Sequence, residues 1–431
     1  MLLVDGVRSA FARGGRGKLT STRLDEAGAR LLCALLERNP GLRPHDVEDV
    51  GLGNASASAE SEFIGLGHVP RLAGLPYEVC SFNSNRQCGS SMETFHRIAS
   101  SIAVGASECG IALGIERVGL PPVGGTRRRE PTRITRLNMR LFQPTELQRS
   151  MAKDHTDLFS VPFPDHILNS PPLQGMPQTA QNAAECYGLS RLELDVYAIT
   201  SHQKAAAAYS AGTYRDEIVP LEIELPIFDD TGAWLEDERG PSALFDTDEC
   251  VRPDTDLDQM SILTPVKGLV SFGEKELVIT TGNGCPLADG ISAVLLVSES
   301  LALERGLEPL ARIRGIGVAG VKPQMMGLAS VPAARRALRN AGLSSEEIDR
   351  VEIHEAFASQ VIPSLRELGL PLERTNVSGG SIALGHPLGA TGARLVSALG
   401  HELRRSHTRF GLATQCIGAG MGIATVLERV D

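Results

Sequence analysis

The chain has 431 residues, of which 42% are hydrophobic and 22% charged, so it is too long for one ordinary core and too apolar for a disordered chain. Its net charge is −10, from 42 basic and 52 acidic side chains, which disfavours nucleic acid as its main partner. The longest uncharged apolar runs, such as 277–281 and 291–297, are much shorter than the roughly 20 residues that cross a bilayer, so we expect no transmembrane segment.

Two further features bear on the compartment and on metal binding. Asp5 and Arg8 interrupt the stretch in which a secretory signal would be continuously apolar, so we expect a cytoplasmic protein. The eight cysteines include no Cys-x-x-Cys pair, which disfavours both a zinc site and a disulfide framework. Each cysteine is therefore part of the core or a reactive thiol, and we expect no bound metal ion.

Helical and β-branched segments alternate along the chain and are separated by Gly-rich turns. An Ala- and Leu-rich helical pattern covers 25–38, β-branched runs cover 278–281, 293–297 and 311–316, and a second helical pattern covers 331–341. This order predicts a layered α/β protein.

An internal repeat extends that prediction to the topology. Residues 41–50 have the same layout as residues 342–351, a Gly-Leu turn that leads into a strand, at an offset of about 301 positions. At the same offset, the apolar segment 110–112 matches 411–413. Two matches at one offset predict two duplicated halves. The alternative is that helix-turn-strand units look alike in any α/β protein.

The segment between the halves, residues 120–250, differs in character from both. Repeated prolines break regular structure there, which predicts an inserted loop domain. Within it, the basic island from Arg127 to Lys153 carries eight basic side chains, and only three acidic ones lie in or beside it. We interpret the island as a contact for something anionic. The alternative is a solvated loop whose arginines pair with local carboxylates.

Cys88 is the first candidate for a reactive group. Residues 85–91 precede a stretch with helical spacing, so Cys88 lies at or just before a helix N-terminus. The helix dipole and the free N–H groups at that position favour a thiolate. The alternative is a buried structural cysteine.

Three other residues stand at Gly-rich turns or strand ends. The glycine-rich run 379–394 fixes His386 on a rigid turn before a helix, and an imidazole there can take a proton from a thiol. Cys416 follows a strand, and the N–H groups of the glycines beyond it can form an oxyanion hole. His354 ends a strand that the repeat predicts. Together with Cys88, these residues indicate one catalytic site.

The chain resembles the thiolase family along nearly its whole length. The matching motifs are the nucleophile motif at 85–91, Gly-His-Pro at 385–387, Cys-x-Gly at 416–418, and an Asn-Glu-Ala-Phe motif that reads His-Glu-Ala-Phe at 354–357. The resemblance implies an α/β thiolase fold, in which two βαβαβαββ halves form five αβαβα layers with an inserted loop domain. The implied domains are an N-terminal half (1–119 and about 251–300), a loop domain for coenzyme A binding and oligomerisation (120–250), and a C-terminal half (about 301–431).

The resemblance also implies the catalytic roles. Cys88 corresponds to the nucleophile that becomes acylated, and His386 to the base that activates it. Cys416 corresponds to the acid/base thiol that protonates the leaving enolate. The backbone N–H groups of Cys88 and Gly418 would hold the thioester oxyanion, while His386 and His354 would bind the oxygen of the enolate or keto thioester.

Coenzyme A enters this interpretation as a substrate, and no permanently bound cofactor is implied. Arg239 matches a family position that meets the coenzyme A nucleotide, Met176 one that lines the acyl pocket, and Cys285 one commonly held by Ser at the pantetheine. The candidate anionic contacts of the basic island are, in falling order, the coenzyme A phosphates, an acidic surface of a neighbouring subunit or partner enzyme, and a membrane surface. The expected partners are acyl-CoA and CoA, with a homodimer or homotetramer and a possible partner enzyme of β-oxidation.

Four positions depart from the family pattern, and Cys285, in place of the common Ser, is one of them. His354 stands where most relatives have Asn, and in this the chain resembles the long-chain thiolases that form β-subunits of multienzyme complexes. The His354 imidazole can contact the thioester oxygen directly, or it can be a structural substitute for Asn. Ser91 and Ala419 replace usual glycines, and we expect the second change to leave the Gly418 N–H in place.

The favoured function is thiolytic cleavage of 3-ketoacyl-CoA to acetyl-CoA and a shortened acyl-CoA, as in fatty acid β-oxidation. Claisen condensation of acyl-CoA units by the same steps reversed is the alternative, and the sequence does not choose the direction. A decarboxylative ketoacyl synthase would usually lack the second thiol, so Cys416 argues against it. A non-catalytic scaffold would not need all four of these residues.

Overall fold

The computed structural model describes residues 1–56, 61, 66–118, 158–171, 174–271 and 273–430. The predicted basic island, Arg127 to Lys153, lies outside these residues. The strands are β1 (Leu2–Arg8), β2 (Ala12–Arg13), β3 (Asp49–Gly53), β4 (Cys80–Ser84), β5 (Cys109–Glu116), β6 (Leu221–Glu224), β7 (Ser242–Phe245), β8 (Ala288–Val297), β9 (Ala311–Gly320), β10 (Arg350–Ile353), β11 (Phe410–Ile417) and β12 (Met421–Arg429).

Helices connect and cover these strands. Across the described residues, no helix combines the length and the apolar character needed to cross a membrane. The helices are α1 (Leu24–Glu37), α2 (Val69–Leu72), α3 (Ser90–Ala103), α4 (Asp165–Leu168), α5 (Met176–Tyr187), α6 (Arg191–Ala211), α7 (Leu257–Ser261), α8 (Glu299–Arg305), α9 (Ser330–Ala341), α10 (Ala358–Leu368), α11 (Ser381–Leu384) and α12 (Thr391–Ser406).

Two groups of strands with the same internal order form the central sheet. The first group has the order β4-β3-β5-β8-β1, and the second has the order β10-β11-β12-β9. In the first group β3 pairs with β5 in parallel and β5 with β8 antiparallel, and in the second group β10 pairs with β11 in parallel and β11 with β12 antiparallel. Backbone pairing of Leu2 with Arg312 joins the groups through β1 and β9. Thus β1, β3, β5 and β8 have the counterparts β9, β10, β11 and β12.

The boundaries of these elements confirm the predicted offset of about 301 residues. β3 begins at Asp49 and β10 at Arg350, while α3 begins at Ser90 and α12 at Thr391. Each second element starts 301 residues after its counterpart. The chain therefore consists of two halves with the same topology.

Buried side chains at helical spacing place α3 and α12 together between the two groups of strands. Met92 and Phe95 of α3 share a hydrophobic cluster with Leu395 and Leu399 of α12. Helix α1 packs on the outer face of the first group, and α9 packs on the outer face of the second. The five layers in the order αβαβα, expected from the family resemblance, are confirmed.

Part of the predicted loop domain packs on the second half. Ala183 of α5 and Leu194 of α6 belong to the same buried cluster as Val361 of α10. The short hairpin of β6 and β7 lies outside the central sheet. The domain bounds, with the loop domain at 120–250, stay predictions.

Candidate active site

The turns and strand ends that were predicted to carry chemistry meet between the two halves. Cys88 lies on the turn between β4 and α3, and His386 lies on the corresponding turn before α12. His354 follows β10, and Cys416 lies near the end of β11. Parallel strands place their carboxyl ends at one edge of a sheet, which explains why these residues converge. The rings of His354 and His386 are 4.0 Å apart between centroids.

A strained turn presents the Cys88 thiol. Gln87, directly before it, has a φ of 47°, in the left-handed region that residues other than glycine rarely adopt. The Gln87 N–H donates to Asn85 Oδ1 at 2.9 Å, and Gln415 Nε2 donates to the Cys88 carbonyl oxygen at 2.5 Å. These two bonds hold the backbone of the turn that carries the half-buried Cys88.

Burial raises the pKa of the Cys88 thiol to about 11, although hydrogen bonds from the Gly418 N–H and from its own N–H favour the thiolate. The position before helix α3 therefore does not produce a thiolate by itself, because desolvation outweighs the helix terminus. Cys88 needs a base that removes its proton. The N–H groups of Cys88 and Gly418, which were predicted to form an oxyanion hole, both approach Cys88 Sγ. Once Cys88 is acylated, they would lie beside the carbonyl oxygen of the thioester.

His386 has the tautomer that such a base requires. Its Nδ1 lies 2.7 Å from Thr391 Oγ1, and the Thr391 hydroxyl donates to the Pro387 carbonyl oxygen at 2.9 Å. The hydroxyl proton is thus engaged, so Thr391 accepts from Nδ1–H and the lone pair is on Nε2. Burial and the nearby Arg394 lower the pKa of His386 to about 3, which keeps the imidazole neutral at pH 7.

His354 has the opposite tautomer. Its Nδ1 lies 2.9 Å from Ser381 Oγ, which also accepts from Arg394 Nη2 at 3.2 Å. The Ser381 proton can therefore go to Nδ1, which leaves the imidazole proton on Nε2. Among the described residues, this buried Nε2 has no hydrogen-bond partner. Burial, His386 and Arg394 all lower the pKa of His354, so it is a neutral donor that lacks an acceptor oxygen.

Cys416 is a second thiol in a mostly apolar surrounding. It is buried in a small cluster with Met326 and Ala356, against which Met176 and Phe357 pack. Burial and the charge of Cys88 raise the pKa of the Cys416 thiol. Cys416 is therefore protonated before reaction and can act as an acid toward a nearby carbanion.

The three predicted substrate contacts are placed differently. Met176 begins α5 and lies against the Cys416 cluster. The Cys285 N–H donates to the carbonyl oxygen of Ala356, a member of the Cys416 cluster, at 3.0 Å. Burial and the charges of Cys88 and Cys416 raise the pKa of the Cys285 thiol. Arg239 is exposed in the segment between β6 and β7, with its Nε 3.6 Å from a Glu224 oxygen. Their roles toward coenzyme A stay predictions.

Two departures from the family pattern now have a structural description. Ser91 Oγ accepts from the Ala393 N–H at 2.9 Å, so it ties the start of α3 to the start of α12. Ala419 has a φ of 64°, a conformation that favours glycine. The Gly418 N–H nevertheless reaches Cys88, as expected from the sequence.

Sequence reasoning missed the residues that set the state of the catalytic groups. Thr391 and Ser381 fix the two histidine tautomers, and the Cys416 thiol donates to Gln360 Oε1 at 3.7 Å. Thr391 and Ser381 lie inside the predicted glycine-rich run, so their hydroxyl groups were the available signal. Gln360 gave no signal beyond its position one turn after His-Glu-Ala-Phe. In the described part of the chain, no group of three or more His, Cys, Asp or Glu residues is arranged to hold a metal ion.

Two family models match the chain, one for each part. The model described as thiolase, N-terminal domain, matches residues 1–300, and the model described as thiolase, C-terminal domain, matches residues 307–429. The matches together include nearly the whole chain.

Individual relatives align over the full length. The chain is 35% identical to a 3-ketoacyl-CoA thiolase of Aliivibrio fischeri, covering 100% of this chain and 99% of the relative. It is 38% identical to a 3-oxoadipyl-CoA/3-oxo-5,6-dehydrosuberyl-CoA thiolase of Escherichia coli, covering 99% of each chain. Human mitochondrial 3-ketoacyl-CoA thiolase is similar in structure, with a TM-score of 0.78, 33% identity, and coverage of 100% of this chain and 98% of the human one.

Proposed function

This chain belongs to the thiolase family, and we propose that it cleaves 3-ketoacyl-CoA with free coenzyme A to acetyl-CoA and a shortened acyl-CoA. Such an acyltransferase uses coenzyme A as a substrate and needs no permanently bound cofactor. The observation that carries the proposal is the arrangement of two neutral thiols and two neutral imidazoles of opposite tautomer in one site.

The first half-reaction uses all four side chains. Cys88 gives its proton to His386 Nε2, and the thiolate attacks the keto carbon of the substrate. When the carbon–carbon bond breaks, the acyl group remains on Cys88 and acetyl-CoA leaves as its enolate. His354 Nε2–H donates to the enolate oxygen, and Cys416 transfers its proton to the enolate carbon.

The second half-reaction returns the enzyme to its starting state. The proton that His386 took from Cys88 passes to the Cys416 thiolate. The thiol of free coenzyme A then gives its proton to His386 and attacks the acyl carbon on Cys88. The bond between the acyl carbon and Cys88 breaks, and Cys88 leaves as a thiolate that takes this proton from His386. The N–H groups of Cys88 and Gly418 stabilise the oxyanion that forms on the thioester. Condensation would run the same steps in reverse, but carbon–carbon cleavage is the chemically favourable direction.

A comparison of substrates tests the proposal. Purified protein is incubated with CoA and acetoacetyl-CoA, a long-chain 3-ketoacyl-CoA or 3-oxoadipyl-CoA, and loss of the ketoacyl thioester is followed. We expect cleavage of at least one substrate. Cys88→Ala should lose acylation and turnover, whereas Cys416→Ala should still be acylated at residue 88 by a simple acyl-CoA but lose turnover.

Cys33 on α1 provides the matched control, since Cys33→Ala removes a half-buried thiol whose Sγ lies 3.5 Å from the Ala73 carbonyl oxygen. This variant should cleave substrate at the wild-type rate. Unchanged turnover in Cys416→Ala, or an acyl adduct on Cys285 in place of Cys88, would contradict the two-thiol mechanism.

We also infer a homo-oligomer, a dimer or a tetramer, from the edge of the sheet. Strand β4 pairs with β3 along one side, and among the described strands none pairs with its other side. Cys80, Ser81 and Asn83 of this strand are exposed. An unprotected edge of this kind favours pairing with another chain. Light scattering of the purified protein would test it, and a monomer mass would contradict it. A partner enzyme of β-oxidation and the cytoplasmic location stay predictions.

A further inference from the structure

Gln360, on the first turn of α10, has a buried side-chain amide of which only the oxygen is hydrogen-bonded among the described residues. Its Oε1 accepts the Cys416 S–H at 3.7 Å, and only 2% of the residue is exposed. Its Nε2 has no hydrogen-bond partner among the described residues. A buried amide donor without an acceptor is costly, so its retention beside a reacting thiol calls for a chemical reason.

The surrounding backbone reserves space for this amide. A Cβ built on Gly327 would lie 2.2 Å from both Cδ and Nε2 of Gln360. Only a glycine at 327 therefore leaves the slot open. The Gln360 N–H donates to the Phe357 carbonyl oxygen at 3.0 Å, which fixes the start of the helix beside the His-Glu-Ala-Phe segment.

The proposed reaction requires Cys416 in two protonation states. When the enolate carbon is protonated, the S–H bond breaks, a C–H bond forms, and the electron pair stays on sulfur. The thiol is a donor, and the thiolate needs donors. Burial and the Cys88 charge both disfavour the Cys416 thiolate, so it depends on nearby hydrogen-bond donors.

We propose that Gln360 is a positioning residue that holds Cys416 in both states, accepting from the thiol through Oε1 and donating to the thiolate through Nε2. A half-turn about the last side-chain bond exchanges the two amide atoms at the sulfur. The Nε2 that is unpartnered in the thiol state is thus the donor that the thiolate uses. This inference rests on the proposed function, because it requires a Cys416 that gives up its proton.

The test separates the step that needs Cys416 from the step that does not. Acylation of Cys88 by acetyl-CoA, measured by mass spectrometry, reports the nucleophile alone. The kcat for cleavage of the best 3-ketoacyl-CoA substrate reports the complete cycle. Gln360→Leu should lower kcat by roughly 10- to 100-fold, the usual effect of losing a hydrogen bond to a charged group, and leave acylation within about twofold.

A second variant and a control keep the test decisive. Gln360→Met keeps the length of the side chain but removes both the amide donor and the amide acceptor, so it should show the same loss, and it decides the matter if Gln360→Leu does not fold. Gln181→Leu removes another buried amide, which bonds to the Glu276 carbonyl oxygen and the Val278 N–H, and should affect both steps equally or neither.

The outcomes distinguish this inference from the function on which it rests. Wild-type kcat in either Gln360 variant, or an equal fall in kcat and acylation, would overturn the role of Gln360. A wild-type protein that cleaves none of the substrates would instead overturn the proposed function.

Discussion

Replacing His354 tests whether its buried Nε2–H is the donor to the enolate oxygen. His354→Phe keeps a ring against His386 but removes the donor, and loss of one such donor typically lowers kcat by about 100- to 1000-fold. His354→Asn has a shorter side chain, so a water molecule must bridge the gap at a cost of up to about 2 kcal/mol, or roughly 30-fold. We therefore expect kcat to fall in the order wild type, Asn variant, Phe variant.

Steady-state thiolysis with a saturating 3-ketoacyl-CoA gives the three kcat values, and acylation of Cys88 by acetyl-CoA serves as the internal control. Ser381→Ala is the matched variant, because it removes the Nδ1 partner but leaves Nε2 in the site, so its loss should be smaller than that of His354→Phe. Full activity of His354→Asn would refute the reasoning and make the imidazole a structural substitute for Asn.

Three further predictions concern stability, measured by urea unfolding. Ala419→Gly should raise the free energy of unfolding by about 1 kcal/mol, because it relieves the positive φ at this position; an unchanged or lower midpoint would contradict this. Ser91→Gly should lower it by roughly 1–3 kcal/mol, because the buried Ala393 N–H loses its acceptor, and wild-type stability would show that this bond contributes nothing. Burial lowers the pKa of His96 to about 3, so between pH 7 and 5 the unfolded chain binds a proton that the folded chain does not. Stability should fall over that range by about 2 kcal/mol from this residue, and His96→Gln should remove that part of the pH dependence; an identical pH dependence in the variant would exclude it.

The sequence predicted the fold well wherever a pattern recurs along the chain. The helical pattern at 25–38 overlaps α1, and the run at 311–316 lies within β9. The run at 278–281 forms no strand, although Val278 and Ile279 are buried in the core of the second half. A short apolar run specifies burial, but pairing with a neighbouring strand decides whether it becomes a strand.

The sequence predicted which side chains react, but it did not predict their hydrogen-bond partners or their protonation states. Cys88, His386 and Cys416 could be found because each stands in a glycine-rich or strand-end motif. The partners of these groups come from distant segments or are ordinary polar residues, as Gln360 and Gln415 show. The protonation state of Cys88 could not be predicted either, because the helix terminus is visible in the sequence and the degree of desolvation is not.

Because α3 and α12 hold equivalent places in the two halves, the turns before them are two copies of one element. At the 301-residue offset Cys88 corresponds to Gly389, three residues after His386. Two identical copies would present either two thiols or two imidazoles to each other, and neither pair gives a net transfer of a proton. Because the turn before α3 carries Cys88 and the turn before α12 carries His386, the duplicated turns supply a nucleophile and a base to the same site.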